Sequence, residues 1–366
     1  MSLQTLKALG LLVGMIVGAG MFALPYTIMK AGIAWSFFHV VLVLILVTIT
    51  HALYAAVILK DRRHARLPGY AREYLGEAGF WITLISRLLA YWGFLLAYGI
   101  LIGGFFAHII PLSESVLAIA FFVIISPLLL FRLSRIGTVN FVLTLPEVFL
   151  PILLFIFWWQ RFDFAAVSLG GDGSWFLPYG VFLFAFSGAS VIPEIIDTLG
   201  SSARKKIFPV IVAGSIIVLL VYAAFSAMII GLAGGLPSED ALSVLATSIG
   251  EGAFIIGTIL ALCAVATSYI ALGLELRYTF EYDLSRSRKI AWVFTAFVPL
   301  IAYLLGMRSF IFLINVIGGV GVGIEGIIIA SLAYRVLGTR IAIAGGLAVA
   351  LLLGALFELV RTGGFV

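Results

Sequence analysis

The stretch GMIVGAGMFALPY, residues 14–26, sets three glycines and a proline inside a segment apolar enough to cross a bilayer. Glycine in a helix interior costs about 1 kcal/mol relative to alanine and proline about 3 kcal/mol, so this segment is poorly suited to be one unbroken helix. A second stretch repeats the pattern. In FLFAFSGASVIPE, residues 182–194, Gly188 stands five residues before Pro193, as Gly20 stands five before Pro25.

The surrounding sequence is of the same kind. The 366 residues are 63% hydrophobic and 11% charged, with a mean hydropathy of +1.22, more apolar surface than a water-soluble core of this size could bury. Apolar runs of 18 residues or more recur throughout, long enough to span about 30 Å of hydrocarbon as helices, and they lack the alternation of a β-barrel. The expected class is therefore an all-α integral membrane protein. Eleven spans are expected at 7–30, 33–59, 79–111, 114–131, 137–160, 176–199, 207–233, 251–275, 289–306, 310–334 and 340–359.

Charge tests that count. With a cytoplasmic N-terminus, 17 of the 22 basic residues fall on the inner side, including the groups at Lys60–Arg66, Arg204–Lys206 and Arg286–Lys289. Only Lys30, Arg161, Arg308 and Arg361 fall outside, and Arg87 lies within the third span. This asymmetry obeys the positive-inside rule and puts the C-terminus on the outer side of the cell membrane. It also explains the net charge of +5 without any affinity for nucleic acid. Two connections are long enough for structure of their own. YAREYLGEAG, residues 70–79, reads as a helix along the inner surface, and PSEDALSVLATSIG, residues 237–250, as an outer cap.

The two interrupted stretches are five spans apart, so the second enters the membrane from the opposite side. Paired breaks in inverted halves are the sequence pointer to a secondary transporter and its midplane site. Glycines also serve close helix packing, as Gly14 and Gly18 could, and the pair rather than either segment favours a site. Backbone groups freed at a break within the bilayer need partners, and a substrate can supply them. Amides at Gly18, Ala19, Gly20 and Met21, opening a half-helix, suit a carboxylate. Carbonyls around Phe184, Ala185 and Ser187 suit an ammonium group. Together they describe an α-amino acid zwitterion, with Phe186 and Gly188 completing the expected second wall and Phe184 and Phe186 as gating candidates.

Gly18-Ala-Gly-Met-Phe-Ala-Leu-Pro25 resembles the first-helix motif of the amino acid–polyamine–organocation superfamily, and Phe184-Ala-Phe-Ser-Gly-Ala-Ser190 resembles its sixth-helix break. With Ala266-Thr267-Ser268 and Pro193-Glu194, the sequence is most similar to the amino acid/auxin permeases and the bacterial hydroxy and aromatic amino acid permeases. The resemblance implies a LeuT-like fold with discontinuous helices one and six. It divides the chain into five-helix repeats at 1–160 and 161–338, inverted with respect to each other, and an added helix at 339–366. It implies amino acid transport by alternating access, coupled to Na⁺, with the ion near Gly14, Val17, Ala264, Thr267 and Ser268.

The spacing of Ala264, Thr267 and Ser268 at i, i+3 and i+4 sets a carbonyl and two hydroxyls on one helix face, although such hydroxyls also bond back to their own helix. Proton coupling is the alternative, through Glu147 or Glu325, since intramembrane carboxyls are expensive and often functional. Glu194 and Asp197 read as inner salt-bridge partners of Arg204–Lys206. Cys263 reads as an inert buried thiol, and His39, His51, His64 and His108 lack metal-ligand spacing. No catalytic triad, paired-acid site or nucleotide loop is present, GGVGVG at 318–323 lacks the strand–turn–helix context, and no cofactor or enzymatic activity is expected. No feature specifies an oligomer.

Overall fold

The computed structural model describes residues 2–61, 65–130, 136–159, 171–239, 241, 244, 251–338 and 341–362. The chain is helical from the start. Ser2 caps α1, Leu3–Ile16, its Oγ accepting from the Thr5 amide at 3.3 Å. Three residues later α2, Gly20–Ala31, sets off at 56° to it. Then come α3, Ile33–Lys60, and α4, Leu67–Ala107. They are followed by α5, Glu114–Ile125, and α6, Ile136–Trp158.

The second half opens with α7, Leu177–Ala185, and α8, Ile192–Leu199, again separated by a short break. Next are α9, Ala203–Ala233, α10, Glu251–Tyr278, and α11, Arg288–Leu304. A wide helical turn at Ile317–Val322 joins α12, Phe310–Val316, to α13, Gly323–Leu337, and α14 is Ile341–Thr362.

Most described residues of the expected spans are helical, with breaks at 17–19 and 186–188 and non-helical ends at 108–111 and 305–306. By length and apolarity, six helical segments qualify as crossing a membrane, and the bent pair α1–α2 makes a seventh if taken as one span. Large apolar side chains face outward, with Phe37 68%, Ile124 74% and Phe157 73% exposed, as in a surface clothed in hydrocarbon. The helix expected along the inner surface is present from Leu67, but it does not end before the third span. It runs into it through a sharp bend at Gly76, whose φ of +76° favours glycine. Tyr74 Oη donates to Asp61 Oδ2 at 2.9 Å, fastening this helix to the end of α3. The expected outer cap at 237–250 falls mostly outside the described residues, as do Arg62, Arg63, His64, Arg132, Arg135, Arg161 and Arg340.

Several interior charges are gathered around one arginine, as burial in a low dielectric favours. Arg87, 4% exposed, stitches three helices together. Its Nη2 lies 3.3 Å from Glu275 Oε1 on α10 and its Nε 3.8 Å from Glu325 Oε1 on α13. It also donates to Tyr91 Oη, and Arg66 pairs with the other Glu275 oxygen. Among the described residues Glu194 and Asp197 make no ion pair with Arg204–Lys206, and Lys206 Nζ lies 3.1 Å from Ser2 Oγ.

The glycine-rich turn of 318–323 is a packing device. Gly318 lies against the Gly180 carbonyl and the Phe184 amide, and Gly319 against Glu358 of α14. A methyl group at Gly318 would meet backbone rather than a movable side chain. The variant Gly318→Ala should therefore cost about 1–3 kcal/mol, read as a lower midpoint of thermal unfolding in detergent, with Gly345→Ala, in open space, unchanged.

Candidate functional site

The two breaks face each other at the centre of the molecule. Val17 leaves α1 in extended geometry, φ −72° and ψ 95°, and α2 restarts at Gly20. The first amides of a helix have no partner within it and carry the positive end of its dipole. The amides opening α2 thus point a positive field at the break. On the other side α7 stops at Ala185, its terminal carbonyls forming a negative end, before the chain turns through Phe186, Ser187 and Gly188.

Contact between the breaks is close enough to require glycine. A Cβ on Gly20 would lie 2.7 Å from Ala185 Cα, and one on Gly18 would lie 2.9 Å from Ser268 Oγ on α10. Tyr222 of α9 joins them: its hydroxyl sits 2.7 Å from the Ile16 carbonyl and 2.8 Å from the Ala185 carbonyl, one proton shared between the last turns of two interrupted helices. Both carbonyls are orphaned by the breaks, and in hydrocarbon each needs such a partner.

Between the breaks is a cleft. Met15, Ile16, Gly18, Ala19 and Gly20 line it from α1 and α2, and Phe184, Ser187 and Ser190 from the second break. Helix α4 contributes Tyr91, Phe94 and Tyr98, and Phe94 stacks on Phe184 with ring centroids 4.5 Å apart. Leu272 and Glu325 complete the wall. The free space is only about 10 Å³, room for roughly one water. An amino acid therefore enters only if the cleft widens.

The other expected residues occupy the frame of this cleft. Met21 is fully buried behind the start of α2. Ala185 is committed through its carbonyl to Tyr222, and Phe186 turns away to stand edge-on against the Tyr222 ring at 5.2 Å. There it lines a separate apolar groove of about 350 Å³ between α2, α3, α7 and α9. Gly188 packs on Ile16, close to His51. Ser190, Tyr91, Phe94, Tyr98 and Leu272 were not foreseen. They lie on regular helices or beyond the break, and only the fold brings them to it.

The expected ion-binding residues lie on α1, on the first break and on α10. Gly14 packs against Thr144 of α6, whose hydroxyl donates to the Gly10 carbonyl at 3.3 Å. Ser268 is buried against Gly18, where the Tyr98 hydroxyl also lies. Thr267 Oγ1 bonds back to the Cys263 carbonyl at 2.9 Å and lies 3.2 Å from Glu147 Oε1. Val17, fully buried, closes this corner, and the Ala264 side chain is outside the described residues. Glu147 is 0% exposed and its second oxygen is unbonded, so a buried carboxyl faces a position expected to hold neutral oxygens alone.

A sequence profile of the tryptophan/tyrosine permease family matches residues 1–340. The chain belongs to the tryptophan/tyrosine permease family. It is a transporter of the amino acid permease kind and a multi-pass membrane protein, with no enzymatic role. A search of curated proteins gave no match. Among solved structures, the permease is similar to the crystal structure of MhsT in complex with L-phenylalanine. The TM-score is 0.70, the identity 14%, and the match covers 98% of this chain and 97% of that one. The likeness identifies the LeuT fold, whose interrupted helices are those described above.

Two substitutions test the framework of this permease. Gly20→Ala should push α2 from α7 and lower both uptake and thermal stability, by about 1–3 kcal/mol. Tyr222→Phe should remove the shared hydrogen bond at a cost of about 1–3 kcal/mol, leaving expression intact but slowing uptake into proteoliposomes. Wild-type rates for both variants would mean that the breaks need neither contact.

Proposed function

We propose that this permease is a secondary active transporter of aromatic amino acids, working by alternating access and driven by Na⁺. The observation that carries the reading is the convergence of the α2 amino end and the α7 carboxyl end on one cleft walled by Phe94, Phe184 and Tyr91. The ends complement a carboxylate and an ammonium group, and the rings suit an aromatic side chain. The family description names tryptophan and tyrosine, and the related structure holds L-phenylalanine. Eleven spans, a cytoplasmic N-terminus, an outer C-terminus and inverted repeats at 1–160 and 161–338, followed by an extra helix at 339–366, belong to the same proposal. Parting and restacking of Phe94 and Phe184 serve as the gate, with Gly18–Gly20, Phe184 and Ser187 forming the binding segment.

The coupling ion sits among Gly14, Val17, Ala264, Thr267 and Ser268, with Glu147 beside it. A carboxylate buried without a basic partner is costly, and a cation arriving with the substrate removes that cost. This ties ion binding to the breaks through Gly14 and Gly18. One observation favours a second reading. Because the Glu147 carboxyl itself contacts Thr267, a proton on Glu147 could do the same work as Na⁺.

Uptake into proteoliposomes under separate Na⁺ and pH gradients tests both. For Na⁺ coupling, a Na⁺ gradient alone drives accumulation and Thr267→Ala abolishes the stimulation. For proton coupling, a pH gradient alone drives it, and Glu147→Gln, fixed in a neutral form, still exchanges substrate but no longer accumulates it. Accumulation without either gradient would exclude the proposal.

A further inference from the structure

The groove behind Tyr222 is far roomier than the cleft, about 350 Å³, and its lining is apolar apart from the hydroxyls of Ser36, Tyr222 and Ser226. It opens sideways. Phe37, 68% exposed, and the exposed Ala223 flank its mouth on the outward apolar surface. Its shallow end is formed by Ile28, Ile33 and Ile230, close to the turn between α2 and α3 and to the end of α9. Trp35 and Trp175, both exposed and with ring centroids 5.3 Å apart, lie at that end too, as tryptophans do where hydrocarbon meets water. The deep end is Phe186 and Tyr222, beside the breaks. From Leu219 to Ile230 the groove follows α9 for about 16 Å, half of the roughly 30 Å of a bilayer's hydrocarbon.

A groove of this lining offers water few partners, and its walls gain dispersion contacts only from an apolar occupant. The medium at its mouth supplies one, and its depth matches a single leaflet. We infer that the groove is a binding site for one acyl chain of a phospholipid, with the headgroup at the Trp35–Trp175 end and the last methylenes against Phe186 and Tyr222. Ser36 is 4% exposed and makes no hydrogen bond among the described residues. It stands one turn from the shallow end, where its hydroxyl can donate to the ester carbonyl at the head of the chain. At the other end the chain packs beside the Tyr222 ring, whose hydroxyl bridges the Ile16 and Ala185 carbonyls. Lipid and breaks thus meet on one side chain.

The test is photolabelling of the whole permease in lipid nanodiscs. The probe is a phosphatidylglycerol with a diazirine at the end of one acyl chain, and the labelled positions are read by mass spectrometry. Labels should favour the deep half of the groove, at Phe186 and from Leu219 to Ala227, over Ile124 of α5, which is 74% exposed on the outward surface. The excess should be about threefold or more, a gain from packing alone because hydrocarbon surrounds both places. Ala223→Phe, which sets a ring in the mouth, should remove the excess and leave labelling of Ile124 as it was. Equal labelling of groove and Ile124, or an excess that Ala223→Phe leaves intact, would overturn the inference. If that variant does not fold, the wild-type ratio decides. Labelling does not depend on what the permease carries, so its failure and the failure of the transport reading are separate results.

Discussion

A backbone that leaves its helix inside hydrocarbon must find partners for every amide and carbonyl it frees, and the centre of this molecule is organised by that constraint. The Tyr222 hydroxyl answers it for Ile16 and Ala185 at once, and the contact of Gly20 with Ala185 keeps the two breaks within reach of one hydroxyl. Short bonds inside the breaks answer it for other groups: the Met21 and Phe22 amides donate to the Gly18 and Ala19 carbonyls, and the Phe186 and Ser187 amides to the Phe182 and Phe184 carbonyls.

The same economy extends to charge. Glu147 is buried beside Thr267, and Glu325 lies 3.8 Å from Arg87. The two buried carboxyls therefore have different surroundings: one faces a threonine hydroxyl, the other a guanidinium group. The Arg87 network continues through Glu275 to Arg66, at the N-terminal end of α4, so α10 and α13 are fastened to the start of α4.

The fold was readable from glycine and proline more than from hydropathy. Gly20–Pro25 and Gly188–Pro193 mark breaks that the structure places at residues 17–19 and 186–188, because both residue types weaken a helix wherever it is built. Less was readable of the cleft walls. Tyr91, Phe94, Tyr98 and Leu272 occupy regular apolar helices whose facing depends on packing between distant segments, and no local spacing distinguishes them from lipid-facing neighbours. Phe186 illustrates the limit from the other side. It is two residues beyond Phe184, yet the turn at the end of α7 sends it to Tyr222 and away from the cleft. The bend at Gly76 was hidden for a similar reason, since a single positive φ lets two helices run together without a loop between them.

The claim on which everything else rests is that one amino acid binds between the breaks. A structure of the permease with tryptophan or tyrosine bound, determined in lipid nanodiscs by electron cryomicroscopy, tests it most directly. The account predicts the carboxylate at the amides of Gly18–Met21, the ammonium group at the carbonyls ending α7, and the ring between the separated Phe94 and Phe184. An amino acid bound elsewhere, with the Phe94–Phe184 stack closed and both breaks unchanged, would contradict it.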